Sequence, residues 1–162
     1  MKLLAFIAIN LCFWAACYKS PAAGSMVALR QYAPGVVLDI RYATANNFTH
    51  HAVYDAATCF LRLETAEKLG AVENDLRVAG LGLKVFDCYR PLSVQKKFWA
   101  LVPDDRYVAN PVNGSRHNRG AAVDLTLIRL ADGAELPMGT GFDDFTERAH
   151  RNTTTVSKEA QV

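Results

Sequence analysis

The sequence predicts a single α+β domain, because strand-like and helical segments alternate unevenly along a chain that is long enough for one core. The chain has 162 residues, and 51% of them are hydrophobic. This length and composition suffice for one globular domain with one hydrophobic core. Segments with β-branched and apolar weight predict strands, and segments with apolar residues at helical spacing predict helices. The uneven order of these segments favours the α+β class.

Residues 1–17 have the layout of a secretory signal peptide. Lys2 precedes an apolar run of about fourteen residues, which is followed by small residues. The run is too short and too one-sided for a membrane span. Lipid attachment at Cys17, in WAAC, and cleavage nearer residue 23, in SPAAGS, both remain open, and a buried N-terminal helix is the less favoured alternative. We therefore expect export to the periplasm or the cell surface, with membrane contact only through a lipid anchor at Cys17.

The charge and the cysteines limit the partners and the chemistry. A formal net charge of +2 with no basic stripe argues against a nucleic-acid partner. Outside the signal region the chain has two cysteines, Cys59 and Cys88. In an oxidising compartment two thiols can pair, and a disulfide and two buried free thiols remain equally open. The sequence does not indicate an oligomeric state.

The first half of the domain predicts one strand and one helix. ALRQYAPGVVLDIRYATANNF predicts a short strand and a polar loop, since residues 36–40 are mostly β-branched or apolar. AATCFLRLETAEKLGAVENDLRVAGL predicts a helix, because leucine or valine recurs near helical spacing at positions 61, 69, 72 and 76. Gly80 is a suitable stop for this helix.

The second half predicts two further strands and two further helices. GLKVFDCYRP predicts a strand that Pro91 ends, with Arg90 extended because it precedes a proline. Pro91 suits the first turn of the helix PLSVQKKFWALV. After a polar loop, AAVDLTLIRL predicts a strand, and MGTGFDDFTERAHRN predicts a loop that enters a helix.

A histidine and an aspartate in SRHNRGAAVDLTL are candidate metal ligands. Side chains alternate between the faces of a strand, so Asp124 points away from the apolar face that Leu125 and Leu127 form. Gly120 lets the preceding loop turn back, which brings His117 over the strand. Imidazole and carboxylate are both ordinary zinc ligands. Taken alone, the pair is also compatible with a surface histidine near a hydrogen-bonded aspartate.

Four sequence blocks together resemble one enzyme family. SRHNRGAAVDLTL fits the S-x-H-x-x-G-x-A-x-D pattern of the zinc D-alanyl-D-alanine dipeptidases, the VanX-type enzymes of peptidase family M15. RYATANNF, FDCYRP and MGTGFDDFTERAH resemble the other blocks of that family in the same order. The resemblance covers residues 27–162. It implies the fold shared with D,D-carboxypeptidases and the hedgehog signalling domain, a small antiparallel sheet with flanking helices.

The resemblance also implies roles for six residues. One Zn²⁺ per site would be held by His117 and Asp124. Arg90 would stabilise the charge that develops on the scissile carbonyl oxygen. Ser115 would contact the substrate, and Tyr42 and Asp143 would hold its ammonium group. Structural alternatives stay open: an ion pair for Arg90, a loop-capping hydroxyl for Ser115, and for Asp143 an N-cap of DFTERAH, a role for which Asp144 competes.

One part of the family pattern is missing from the sequence. The resemblance implies a third zinc ligand and a general-base glutamate in a later E-x-x-H block, which we expect beyond Val162, so that the domain over residues 27–162 is truncated at its C-terminus. Glu147 and His150, in ERAH, have the same spacing, but they align with a different family segment, and a local structural role is favoured. A site with two protein ligands is expected to bind zinc weakly and to show little activity.

The resemblance implies hydrolysis of the dipeptide D-alanyl-D-alanine to two D-alanines. The biological setting would be cell-wall peptide turnover or glycopeptide resistance, and the partner would be a small dipeptide. The alternative is a non-catalytic relative that binds cell-wall peptides or metal.

Overall fold

The computed structural model describes residues 21–160. The predicted signal peptide over residues 1–17, including Cys17, lies outside these residues, and its cleavage stays a prediction. Within residues 21–160, no helix combines the length and the apolarity that crossing a membrane requires.

The described part of the chain contains five strands and two α-helices, which confirms the predicted α+β class. In chain order they are β1 Met26–Ala28, β2 Val37–Leu38, β3 Phe60–Arg62, α1 Leu63–Val78, β4 Leu81–Asp87, α2 Leu92–Leu101 and β5 Asp124–Arg129. The strands predicted before Pro91 and after the polar loop correspond to β4 and β5. The helix predicted from Pro91 corresponds to α2, but Pro91 is its N-cap with a ψ of 142°, so the helix begins at Leu92.

The strands form two small sheets. Strands β1 and β3 pair antiparallel, and the other sheet has the order β2-β4-β5. Strand β5 runs antiparallel to β4, as expected, whereas β2 runs parallel to β4. Parallel neighbours need a long crossover connection, and the segment containing β3 and α1 supplies it. The larger sheet is therefore mixed.

An irregularity at the end of β4 positions the acidic residues. The register shifts between Val85 and Asp87, so that Asp87 lies opposite Asp124 at the start of β5. One face of the sheet packs into the main core, where Leu83 and Val85 are buried and Leu125 and Leu127 pack against them. Asp124 lies on the other face, as the alternation predicts.

The first predicted helix begins later than its sequence pattern indicates. Residues 60–62 form β3 and α1 begins at Leu63. The reason is tertiary: the backbone of Phe60–Arg62 pairs with β1, and the fully buried Leu61 belongs to the core face of a strand rather than to a helical stripe. Strand pairing here overrides the helical spacing.

The helix predicted near the end of the chain is wrong. Residues 144–146 are irregular, and only a 3-10 turn forms at Glu147–Ala149. Asp143 has a φ of 55°, whereas an N-cap residue has extended backbone, so Asp143 does not cap a helix. Phe142 and Phe145 instead pack into a second cluster around the buried Tyr42 and Phe98.

Cys59 and Cys88 form a disulfide. This decides between the disulfide and the two free thiols that the sequence left open. Both residues are buried. The backbone N–H of Tyr89 also donates to the carbonyl oxygen of Phe60 at 3.0 Å. The end of β4 is therefore attached to the start of β3 by a covalent bond and a hydrogen bond.

Candidate metallopeptidase site

A cleft of about 630 Å³ lies on the face of the sheet opposite the main core. Five of the six predicted site residues line it: Arg90, Ser115, His117, Asp124 and Asp143. The sixth, Tyr42, is buried behind the cleft and reaches it by donating a hydrogen bond to Asp143. Segments from both ends of the domain thus meet in one place.

His117 is held above β5 with one ring nitrogen fixed and the other facing Asp124. It begins a 3-10 turn, His117–Arg119, which ends at Gly120 with a φ of 64°. The Nδ1 atom lies 2.8 Å from the carbonyl oxygen of Cys88. A carbonyl oxygen can only accept, so Nδ1 carries the hydrogen, and in the neutral ring Nε2 has the free lone pair.

The distance between the two candidate ligand atoms fits zinc. Nε2 of His117 and Oδ1 of Asp124 are 3.4 Å apart. Two ligand atoms that bind zinc at ordinary distances and a tetrahedral angle are separated by about 3.3–3.5 Å. A neutral imidazole nitrogen and a carboxylate oxygen repel each other at this separation unless a cation lies between them or the ring is protonated. The donor set and its spacing therefore suit a divalent cation.

The ionisation of His117 reflects the same neighbours. Burial by itself lowers its pKa, but the hydrogen bond and the negative charge of Asp124 outweigh burial and raise the pKa above its ordinary value. The charge of Asp87 acts in the same direction. The position is thus built to stabilise a positive charge.

Asp87 is a third potential metal ligand beside His117 and Asp124. It was not identified as a candidate from the sequence. Its carboxylate lies with His117 and Asp124 in the group of potential ligands found within residues 21–160, whose ligand atoms lie within 4.8 Å of one another. However, Oδ1 accepts hydrogen bonds from the Tyr54 hydroxyl and the Cys88 N–H, both at 2.8 Å. Oδ2 accepts from Arg90. These bonds make Asp87 a partner of Arg90 rather than a free metal ligand.

Arg90 is oriented by neighbours on several sides. Its Nε and Nη2 donate to Oδ2 of Asp87 at 3.0 and 2.7 Å, and its Nη1 donates to Oε1 of Gln95 at 2.9 Å. The guanidinium lies 4.8 Å from the centre of the Phe98 ring. Its Nη2 is also 3.8 Å from Oδ2 of Asp124, so the charged group faces the candidate cation position. Burial by itself lowers the pKa of Arg90, but the charge and the hydrogen bonds of Asp87, with smaller contributions from Tyr42 and Tyr54, together raise it.

Ser115 is tied to its loop and to Arg90. Its Oγ accepts the N–H of His117 at 3.2 Å, which realises the loop-capping alternative. Its own N–H donates to Oδ1 of Asn118, and Nδ2 of Asn118 donates to the carbonyl oxygen of Arg90, both at 2.7 Å. Ser115 also lines the cleft, so a contact with substrate and the loop cap are compatible.

Tyr42 and Asp143 form a polar pair at the other side of the cleft. The Tyr42 hydroxyl donates to Oδ2 of Asp143 at 2.7 Å. Burial is the main cause that raises the pKa of Asp143, to about 6, and the Tyr42 hydrogen bond opposes it. Above this pH Asp143 is a carboxylate in a partly buried setting, which suits pairing with an ammonium group.

The E-x-x-H spacing in ERAH does not contribute to this cluster. Glu147 and His150 are not part of the ligand group identified within residues 21–160. Nε2 of His150 instead lies 3.3 Å from the Tyr107 hydroxyl. The geometry agrees with the local structural role that the sequence favoured.

Three residues that contact the predicted site residues were missed by the sequence analysis: two had weak sequence signals and one had none. Asp87 is a charged residue at the end of an apolar strand, three positions before Arg90, and this placement is unusual enough to suggest pairing. Gln95 lies between Val94 and Phe98 on the buried face of α2, where a polar residue needs a partner. Asn118 occupies a variable position of the motif pattern and had no signal.

Comparison with known proteins identifies the family. The family model described as D-Ala-D-Ala dipeptidase, of the peptidase M15 type, matches residues 22–162. The chain is 38% identical to the D-alanyl-D-alanine dipeptidase of Escherichia coli (strain K12) over 128 residues, which is 79% of this chain and 66% of that protein. It is 35% identical to the D-alanyl-D-alanine dipeptidase of Enterococcus faecium over 151 residues, or 78% of this chain and 73% of that protein. The chain thus spans about two thirds of the length of the first of these relatives. With the family model matching most of its length, this chain belongs to the D-Ala-D-Ala dipeptidase family of M15 peptidases.

Proposed function

We propose that this protein is a zinc-dependent dipeptidase that hydrolyses D-alanyl-D-alanine to two D-alanines. The observation that carries the proposal is the 3.4 Å spacing of His117 Nε2 and Asp124 Oδ1 beside the Arg90 guanidinium. The names of the relatives, D-alanyl-D-alanine dipeptidase, support the choice of substrate. One Zn²⁺ would be held by His117 and Asp124.

The chain's own residues supply binding and electrostatic stabilisation. When bound, zinc supplies a Lewis acid that activates water and polarises the scissile carbonyl. The ionised Asp143, with Tyr42 behind it, pairs with the substrate ammonium group. Arg90, which is paired with Asp87, would face the negative charge that develops on the carbonyl oxygen, and this lowers the barrier because little reorganisation is needed. Ser115 holds the loop that carries His117.

The family resemblance implies two further groups, a third zinc ligand and a glutamate that accepts a proton from water. Among residues 21–160 the nearest additional carboxylate is Asp87, whose oxygens are already hydrogen-bonded. We therefore propose that these 162 residues by themselves bind zinc weakly and hydrolyse the dipeptide slowly. The E-x-x-H block would raise both the affinity and the rate.

Zinc titration and D-alanine release test the proposal together. His117→Ala and Asp124→Ala should each abolish the zinc-binding heat seen in calorimetry, whereas His51→Ala, at an exposed histidine, should leave it unchanged. Zinc should stimulate D-alanine release, and a chelator should abolish this release. Equal zinc binding by all four proteins would contradict the metal site. Zinc and dipeptide binding with no D-alanine release would favour the non-catalytic alternative, a binding protein for cell-wall peptides.

We further propose that the protein is exported to the periplasm or cell surface. The Cys59–Cys88 disulfide supports this, because disulfides persist in oxidising compartments. Fractionation of expressing cells, with mass determination of the mature N-terminus, would separate lipid attachment at Cys17 from cleavage nearer residue 23. Recovery of the uncleaved chain in the cytoplasm would contradict export.

A further inference from the structure

Gln95 connects Arg90 to the wall of the cleft. The side chain is completely buried in α2. Its Oε1 accepts a hydrogen bond from Nη1 of Arg90 at 2.9 Å, and its Nε2 donates to the carbonyl oxygen of Ala109 at 2.6 Å. Ala109 lines the cleft together with Arg90. Both ends of one amide are thus used between the guanidinium and the loop beside it.

Asp87 alone does not fix the guanidinium. Nε and Nη2 of Arg90 both donate to the same oxygen of Asp87, so these two bonds hold one edge of the group. Gln95 is the hydrogen-bond partner of Nη1, on the other side. A planar guanidinium that is hydrogen-bonded on both sides cannot rotate about the edge that contacts Asp87. Preorganisation of this kind is what electrostatic stabilisation of a transition state requires.

We propose that Gln95 is a positioning residue for Arg90, so that it acts on the rate of the proposed hydrolysis without touching the substrate. This inference rests on the proposed function for its effect on the rate, but the orientation of Arg90 is measurable without turnover. Gln95 would hold Nη1 in place, so that Nη2 stays directed at the cleft, 3.8 Å from Oδ2 of Asp124.

Two substitutions distinguish positioning from simple filling of the core. Gln95→Met keeps the length of the side chain but removes both hydrogen bonds. Gln95→Glu keeps an acceptor for Arg90, and its protonated form can still donate to Ala109. If Gln95 merely fills space, the apolar methionine is tolerated and the buried glutamate is not. If Gln95 positions Arg90, the glutamate variant should keep the orientation of Arg90 and the methionine variant should lose it. Lys96→Met, at an exposed neighbour on the same helix, is the matched control.

The primary measurement is the ¹⁵N-resolved NMR spectrum of the Arg90 side chain, assigned by comparison with Arg90→Lys. A guanidinium held at both sides gives separate Nη signals because rotation is hindered. We expect separate signals in the wild type, Gln95→Glu and Lys96→Met, and averaged signals in Gln95→Met. Thermal unfolding followed by circular dichroism establishes that each variant is folded.

The second measurement is D-alanine release in the presence of zinc. Loss of an outer-shell partner in a metal site typically lowers activity roughly 10–100-fold, and we expect a fall of that order in kcat for Gln95→Met, with little change in KM. In an Arg90→Ala background the same substitution should have no further effect. Retained separate signals in Gln95→Met, or an equal loss in both backgrounds, would overturn the inference. A wild type without zinc-dependent hydrolysis would refute the proposed function, while the spectra would still decide the role of Gln95.

Discussion

The Nδ1 atom of His117 lies 2.8 Å from the carbonyl oxygen of Cys88. A candidate metal ligand is thus oriented by the backbone of a residue that is itself covalently bonded to Cys59, directly before β3. The neighbouring carboxylate of Asp87 accepts the N–H of the same cysteine. The segment 87–90 therefore supports both the imidazole and the guanidinium of the cleft.

Removing the disulfide is expected to weaken both the fold and the metal site. The bond closes a loop with a sequence separation of 29, and a cross-link of that span stabilises a folded domain by roughly 2–4 kcal/mol. The double variant Cys59→Ser, Cys88→Ser should lose this free energy of unfolding in urea denaturation and bind zinc more weakly. In the presence of a reductant, the urea midpoint of the wild type should approach that of the double variant. An unchanged urea midpoint would contradict the prediction.

Asp87→Asn is expected to be strongly destabilising. Asp87 is fully buried and pairs with the buried Arg90. Breaking one side of a buried ion pair leaves an uncompensated charge and costs about 3–5 kcal/mol. Equilibrium urea unfolding measures the loss. Asp132→Asn breaks an ion pair of the same residue types with Arg129, about half exposed, and should change the midpoint little. Equal effects of the two substitutions would show that burial of the Asp87–Arg90 pair has no energetic importance.

The affinity for a dipeptide with a free ammonium group is expected to fall below about pH 6. Burial raises the pKa of Asp143 to about 6, so at lower pH the group is protonated and loses its attraction for a cation. Well below that pKa, the affinity should fall about tenfold per pH unit from this group. Calorimetric titration of D-alanyl-D-alanine between pH 5 and 8 measures the profile. Asp143→Asn should bind more weakly above pH 6 and should lack this component of the pH dependence, which separates it from the titration of His117. A wild-type profile that parallels the variant's would refute the role of Asp143.

Gly120→Ala is expected to disturb the loop that carries His117. Gly120 has a φ of 64°, and a Cβ there would lie 2.7 Å from Sδ of Met26 and 3.0 Å from the backbone nitrogen of Arg62. The left-handed conformation alone costs a non-glycine residue about 1–2 kcal/mol. Gly133→Ala is the matched control, because Gly133 has a φ of 71° and open space around it. Gly120→Ala should lose more unfolding free energy than Gly133→Ala and should also bind zinc more weakly. Equal losses would mean that the contacts of Gly120 are unimportant.

The sequence predicted those parts of the fold that are determined by local signals, such as side-chain alternation and proline. The alternation in β5 separates Asp124 from Leu125, and Pro91 marks the boundary between β4 and α2, where it stands just before Leu92. The start of α1 was predicted too early because pairing with β1 is a long-range interaction that the local spacing of Leu61 does not reveal. The parallel pairing of β2 with β4 was missed for the same reason.

The same limit applies to the site. The positions of His117, Asp124, Arg90 and Asp143 around one cleft were predicted because ordered motifs resemble a family. The residues that hydrogen-bond to them, Asp87 and Gln95, were not predicted. Asp87 is brought opposite Asp124 by a register shift in the sheet, and Gln95 meets Arg90 across the start of a helix. Such contacts depend on how elements pack, and a single sequence does not state that.

The hydrogen bond between Tyr42 and Asp143 joins residues separated by 101 positions. Bringing segments so far apart in the sequence together costs chain entropy, which the packing of the domain must offset. The cleft is therefore complete only when the segments that carry Tyr42 and Asp143 have both reached their native positions. Binding of the proposed dipeptide would then report that both segments are in place, and a chain in which either segment is unfolded would lack the site.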